Sequence, residues 1–351
     1  MSGPEKRPLN LIWAQSPLLL SEANWIRWLL GEFDVTEYLA ENMDLFKDHS
    51  IYVLSSNSIP LSRLPDQFLI GIDKVRGKGL FHLSDESFSG GYEIYSKFDF
   101  LLRNYYSSLF NNPGIKTVPL GPANYSMDPF KEGAVAKRKL IWSFAGTESA
   151  ARSDMVENFR NLTPNKYYFY ESRKRQAPKL DGGAYAALLS DTIFCPCPMG
   201  NVVLETFRVY EALEQGCIPI VERRRRMPYY DRLIPGHLLP TFSSWGEARR
   251  FAEELSKDEV SLAELQRKVA EWWQRYKLNL RGEIASFVLL GLRGAFQSSL
   301  TREWHPLGGV KHQAWRFSEL LKHGSRASLR ERIAISATRL FRGGNIFGGG
   351  R

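Results

Sequence analysis

Arg208 and Glu211 stand three residues apart in the stretch TFRVYEALEQG. On a helix that spacing brings two side chains onto one face. A guanidinium so placed can grip a phosphate bidentately while the carboxylate accepts hydrogen bonds from ribose hydroxyls, so that one nucleotide would satisfy both. An ordinary Arg and Glu pair on a solvated helix face is the other reading of the same spacing. Just upstream, Pro198-Met199-Gly200 forms a turn that lets the backbone swing tightly into the helix. The free amides and positive dipole end of that helix favour an anion such as a diphosphate.

These residues must be held by the elements around them. From Ser190 to Val221 the chain reads as a short apolar strand, a turn, a helix and a second apolar strand in direct succession. The segment resembles the signature of exostosin-like glycosyltransferases, in which a Cys-Pro-Gly strand end leads to a Ser/Thr-x-Arg-x-x-Glu/Asp-Ala helix and then to Gly-Cys-Ile-Pro. The matching positions are Cys195 to Gly200, Thr206, Arg208, Glu211, Ala212 and Gly216 to Ile220, with a looser echo at Phe144-Ala145-Gly146 followed by Arg152.

The resemblance implies a GT-B fold, in which two Rossmann-like α/β domains with parallel sheets face a central cleft. It also implies an inverting transfer from a nucleotide-sugar donor, commonly UDP-linked, to a glycan or lipid-linked acceptor. The donor-binding candidates it supplies are Arg208, Glu211, Gly200, Asn201, Thr206, Arg152 and Gly146. Glu205 and Val202 to Leu204 depart from the pattern, since exostosins tend to have small polar residues there. A catalytically inactive nucleotide-sugar-binding protein on the same fold would differ only in turnover.

Length and periodicity agree with two domains. The chain has 351 residues, of which 43% are hydrophobic and 13% aromatic, enough for two packed cores. Apolar strands are expected at Leu11 to Ala14, Ile51 to Leu54, Gly79 to Leu83, Phe98 to Leu102 and Ile115 to Leu120, with a helix over Glu22 to Leu30. The pattern restarts with strands at Leu140 to Ala145 and Lys166 to Tyr170 and helices near Ala150 to Arg160 and Gly183 to Leu189. Such alternation argues for parallel sheets. Pro122, Pro129, Gly133 and a run of Lys and Arg mark Leu120 to Lys139 as the linker. The expected division is 1–130 for an acceptor-side domain, 131–300 for the donor domain and 301–351 for a basic tail that returns to the first domain or to a membrane surface. Long helices are expected over Trp245 to Leu255 and Leu262 to Leu290.

An inverting transfer needs a base on the side opposite the donor. Parallel α/β sheets put functional groups in loops at carboxyl strand ends. Phe81 to Glu86, following the strand Gly79 to Leu83, supplies the candidates Asp85, Glu86 and His82. Ser84-Asp85-Glu86 also fits the N-cap and first turn of a helix. No further ligand cluster accompanies His82, so no metal and no cofactor are expected. Arg152, Arg208 and the amides after Gly200 would neutralise the leaving diphosphate, joined by Arg223 to Arg226 unless that charge run is a solvated face, and activity should survive EDTA.

The 47 basic residues against 38 acidic ones give a net charge of +9. Most of the excess lies in 301–351, where 10 Lys and Arg against 3 Glu give +7. Within it, Ser328 to Phe341 interleaves Leu329, Ile333, Leu340 and Phe341 with arginines. That pattern fits an anionic membrane surface and equally a solubilising appendage. Nucleic-acid binding is disfavoured, because the aromatics are not interleaved with basic residues and no recognition helix or zinc module is visible. Cys195, Cys197 and Cys217 fit neither a zinc pattern nor a disulfide framework, and the first residues lack the pattern of a secretion signal. A cytoplasmic location, with peripheral contact to the inner membrane face, is the expectation.

Overall fold

The computed structural model describes residues 6–123, 138–170, 180–224, 227–303 and 309–323. Two all-parallel sheets divide them. The first contains β1 (Arg7–Trp13), β2 (Phe33–Leu39), β3 (Ser50–Ser55), β4 (Lys78–Leu83), β5 (Phe100–Arg103) and β6 (Ile115–Thr117), in the order β2-β1-β3-β4-β5-β6. The second contains β7 (Leu140–Thr147), β8 (Asn165–Tyr170), β9 (Thr192–Cys197), β10 (Ile218–Glu222) and β11 (Thr241–Phe242), in the order β11-β10-β9-β7-β8. Between the strands run α1 (Ala23–Leu29), α2 (Asp66–Ile72), α3 (Ala150–Phe159), α4 (Gly182–Ser190), α5 (Phe207–Glu214), α6 (Tyr229–Leu233) and α7 (Trp245–Leu255). The expected α/β class with two Rossmann-like parallel sheets is thus observed. The expected boundary near residue 130 lies outside the described residues, as do residues 324–351 of the tail.

Each sheet reverses its strand order once. β1 pairs with both β2 and β3, and β7 pairs with both β8 and β9. Crevices open outside the carboxyl ends of parallel strands at such switch points. The central strands are buried on both faces, which is why β3 and β4 read as near-continuous apolar runs. In the second sheet side chains alternate. Trp142, Phe144, Phe194, Ile218 and Ile220 fill one core cluster with Phe159 and Trp245, while Cys195, Cys197, Cys217 and Val221 join the other with Val209 and Leu213. All three cysteines are buried and unbridged.

Several elements escape the sequence reading, among them β2, α2, α6, β11 and the helix over Gly309–His323. β2 is an edge strand, FDVTEYL, in which only Phe33 is buried, so its mixed composition presents no apolar run. α2, seven residues after Pro65, is too short for helical periodicity to show. Conversely, β6 ends before Pro119, which has no N–H to continue a ladder.

Helix α8 (Glu259–Leu292), 34 residues long, ties the sheets together. Trp273 donates to Glu214 of α5 at 2.9 Å and stacks on Trp25 of α1 with centroids 6.3 Å apart. Such aromatic pairs add about 0.5–1.5 kcal/mol beyond the area they bury. Farther along, Arg281 pairs with Glu32 and Glu283 with Lys116. Helix α9 (Gly309–His323) follows. Its Arg316 Nε donates to the Ser87 carbonyl at 2.7 Å, and the Leu204 amide donates to His323 Nδ1 at 3.3 Å, so this helix touches loops of both sheets. No described helix is long and apolar enough to cross a membrane.

Candidate active site

The carboxyl ends of the two sheets face each other across a pocket of about 300 Å³. From the first sheet come Ser21 after β1, Glu86 after β4, Tyr105 after β5, and Leu120 and Ala123 after β6. From the second come Arg152 on α3 and the run Gly200, Asn201, Glu205, Thr206, Phe207, Arg208 and Glu211 leading into α5.

Arg208 and Glu211 share the inner face of α5, with only 9% and 4% of their surface exposed, so they are not a solvated surface pair. Arg208 lies over the Phe144 ring at 4.4 Å and donates from Nη2 to the Ala145 carbonyl at 2.7 Å. Gly146 does not line the pocket. Its role is to leave room, because a Cβ there would meet Arg208 Nη2 at 2.8 Å. Arg152 donates from Nη1 to the Thr147 carbonyl at 2.7 Å. Burial, then the charge of Arg208, lowers the Arg152 guanidinium to about 10, against the opposing pull of Glu86. Thr206 is the N-cap of α5, yet its side chain makes no capping bond. Its Oγ1, Arg152 Nε and Arg208 Nε are buried without a hydrogen-bond partner among the described residues. Buried polar atoms are nearly always paired, so three orphans on one wall mark a place built for a polar guest.

The turn before α5 differs from the expectation. Gly200 does not lead straight into the helix, since residues 201–206 intervene and the Gly200 amide closes on the Val203 carbonyl at 2.8 Å. Nor are the amides after Gly200 open to a diphosphate in this state. Val202 and Val203 both donate to Glu86 Oε1, at 2.7 and 3.3 Å. Glu222, at the end of β10, accepts from the Met199 amide at 2.8 Å and pairs with Arg224, which therefore braces the turn from behind and is not among the pocket residues. Arg225 and Arg226 lie outside the described residues.

The three acid and base candidates separate. No helix begins at Ser84, which instead adopts a left-handed φ of 59° that turns the chain sharply after β4. Glu86 emerges into the pocket. Asp85 points into a buried network, accepting from the Ser89 amide at 2.7 Å and the Tyr92 hydroxyl at 2.6 Å and pairing with the fully buried Arg103 at 3.3 Å. Burial pushes its carboxyl up, but these neighbours outweigh that and hold it below the usual carboxylate range. His82 lies in the same network, 2.7 Å from Ser56 Oγ at Nε2 and 2.7 Å from the Tyr95 hydroxyl at Nδ1. Burial lowers its imidazole to about 4, so it is neutral. Neither Asp85 nor His82 lines the pocket.

Several pocket residues carry no motif. Tyr105 takes a strained φ of 62°, and burial together with the charges of Glu86, Glu22 and Glu205 pushes its hydroxyl well up. Glu205 crosses between the sheets. It accepts from the Leu120 amide at 2.8 Å and from the Tyr210 and Tyr229 hydroxyls at 2.6 and 2.7 Å, and burial raises its carboxyl. Glu22, next to Ser21, is buried, and burial raises its carboxyl to about 7. Only the departure of Glu205 from the motif gave any sign in the sequence.

The class defined by the fold is GT-B. An α1,3-fucosyltransferase crystal structure superposes with a TM-score of 0.55 at 15% identity, covering 84% of this chain and 92% of the other. A DNA-modifying β-glucosyltransferase superposes with a TM-score of 0.49 at 11% identity, covering 81% and 100%.

In sequence, residues 125–289 match the family model described as the RXYLT1 C-terminal domain, just under half of the 351 residues. Ribitol-5-phosphate xylosyltransferase 1 of Mus musculus is 26% identical in a 209-residue alignment that covers 52% of this chain and 46% of that protein. The chain thus spans about half the length of this curated relative. The likeness is to glycosyltransferases.

Proposed function

We propose that the protein is a glycosyltransferase that moves a sugar from a nucleoside diphosphate donor to a hydroxyl of a glycan or lipid-linked acceptor. The observation that carries this reading is the wall formed by the half-buried Arg152 and Thr206 and the buried Arg208, each with one buried polar atom that finds no partner among the described residues, in a cleft between two parallel sheets. Two like charges brought together in a buried pocket call for an anion, and a diphosphate matches their forked geometry. Glu211, one turn on, suits ribose hydroxyls.

The reaction then runs as a single displacement. Glu86 takes the proton from the acceptor hydroxyl, and the acceptor oxygen forms its bond to the anomeric carbon from the face opposite the leaving diphosphate. The bond from that carbon to the diphosphate breaks, and the departing charge settles on Arg152, Arg208 and Thr206. Configuration inverts. Because these cations and donors supply the charge stabilisation, metal-independent turnover is part of the proposal, and EDTA should leave the rate unchanged.

The exostosin-like motif supports a UDP-linked sugar. The name of the mouse relative supports an activated pentose as the donor to try first and a phosphorylated polyol as the acceptor. Cytoplasmic work, with residues 325–351 resting on an anionic membrane, belongs to the same proposal, and liposome pelleting of the full chain against one ending at residue 324 tests it. Calorimetry with a panel of UDP- and GDP-linked sugars tests the core of the reading. Binding abolished by Arg208→Ala is the expected result, and no heat with any donor would sink it.

A further inference from the structure

The turn after β9 is an anion nest, and the protein fills it with its own carboxylate. The amides of Val202 and Val203 converge on a single oxygen, Glu86 Oε1, at 2.7 and 3.3 Å. Consecutive amides aimed at one point form the concavity that binds phosphate oxygens elsewhere. The fit is close, since a Cβ on Gly200 would meet that same oxygen at 2.8 Å. The carboxylate arrives from the opposite sheet, 116 positions earlier in the chain. Its negative charge is also felt by Arg152, on the cationic wall of the same pocket.

We propose that Glu86 is a self-ligand: its carboxylate occupies the Val202–Val203 nest until the donor diphosphate displaces it, and only the displaced carboxylate serves the acceptor. This rests on the donor reading above and adds an order to it. A diphosphate brings more charge and more acceptor oxygens than one carboxylate, and it engages Arg152, Arg208 and Thr206 together with the nest. Its charge repels Glu86, which leaves the amides for the first-sheet side of the pocket, where the acceptor hydroxyl must lie. Without a donor the base is held by the amides, so the cleft does not activate a hydroxyl with no sugar to receive it.

The test is the sign of one affinity change. Calorimetry with inorganic pyrophosphate, UDP and GDP is run on the 351-residue chain and on its Glu86→Ala and Glu86→Gln variants, with melting curves to confirm folding. Removing the competing charge should tighten pyrophosphate and the favoured nucleotide by about tenfold or more in the Ala variant, while transfer is lost. The Gln variant, which keeps the shape without the charge, should also tighten. If the wild type binds and neither variant binds more tightly than it does, the self-ligand is overturned and the donor site is left standing. Absence of binding to all three proteins overturns both.

Discussion

Arg152 and Arg208 turn two guanidinium groups into one pocket, each with a buried Nε that nothing in the described protein accepts. Burial and the neighbouring positive charge together pull Arg152 down to about 10. The pair is therefore uncomfortable without an anion. Arg152→Gln should weaken UDP binding about 10- to 100-fold, the range expected for losing a charged hydrogen bond, while the melting temperature of the ligand-free protein stays level or rises. A fall in both would mean that Arg152 is chiefly structural.

Asp85 and Glu86, adjacent in sequence, should respond in opposite ways. Asp85→Asn leaves Arg103 buried beside a neutral partner, and breaking a buried pair costs about 3–5 kcal/mol. Urea denaturation should show that loss. Glu86→Gln should cost far less stability and remove nearly all transfer. Equal stability losses in the two variants would refute the division of roles.

Gly200 should tolerate no side chain. Its Cβ would meet Glu86 Oε1 at 2.8 Å and the Glu205 carbonyl at 3.0 Å. Gly200→Ala should cost about 1–3 kcal/mol by overpacking, again read by urea denaturation. It should also lower donor affinity by shifting the turn.

Glu22 gives the protein a pH dependence opposite to that of most carboxylates. Its folded value of about 7, raised by burial, lies above the ordinary carboxylate value of 4.5, so the folded state binds the extra proton. Its contribution is fully present below about 4.5 and is lost as pH rises through 7. The shift corresponds to at most on the order of 3 kcal/mol. Glu22→Gln should therefore gain stability over the wild type at pH 8 and little or none at pH 4, measured as the difference in melting temperature. A gain that is the same at both values would show that Glu22 does not titrate in this window.

His82 works in the usual direction for a buried imidazole. Its value of about 4, lowered by burial, means the unfolded chain takes up the proton first, so stability falls as pH drops from about 6.5 towards 4. A His82→Gln variant should lose that acid sensitivity in its melting profile, although it will be less stable near pH 7 because Ser56 and Tyr95 lose a matched partner.

The sequence alone determined the repeating units. Alternating apolar runs such as Ser50–Ser55 and Ile218–Glu222 became parallel strands, and the spacing of Arg208 and Glu211 put both on one helical face, because periods of 2.0 and 3.6 residues are local properties of the backbone. Edge strand β2 and short helix α2 lack the length or contrast for such a signal. What only the tertiary structure decided is which loop residues meet. Of three neighbouring candidates it turned Glu86 to the cleft and Asp85 and His82 into a network with Arg103. It also set Tyr105 and Glu205 in the same pocket, with the charge of Glu22 felt at Tyr105, and only the departure of Glu205 from the motif gave any sign of this. Loops at strand ends have no period, and the charge on a buried group is a sum over neighbours from distant parts of the chain. No stretch of sequence around either Glu86 or Val202 encodes the bond between them.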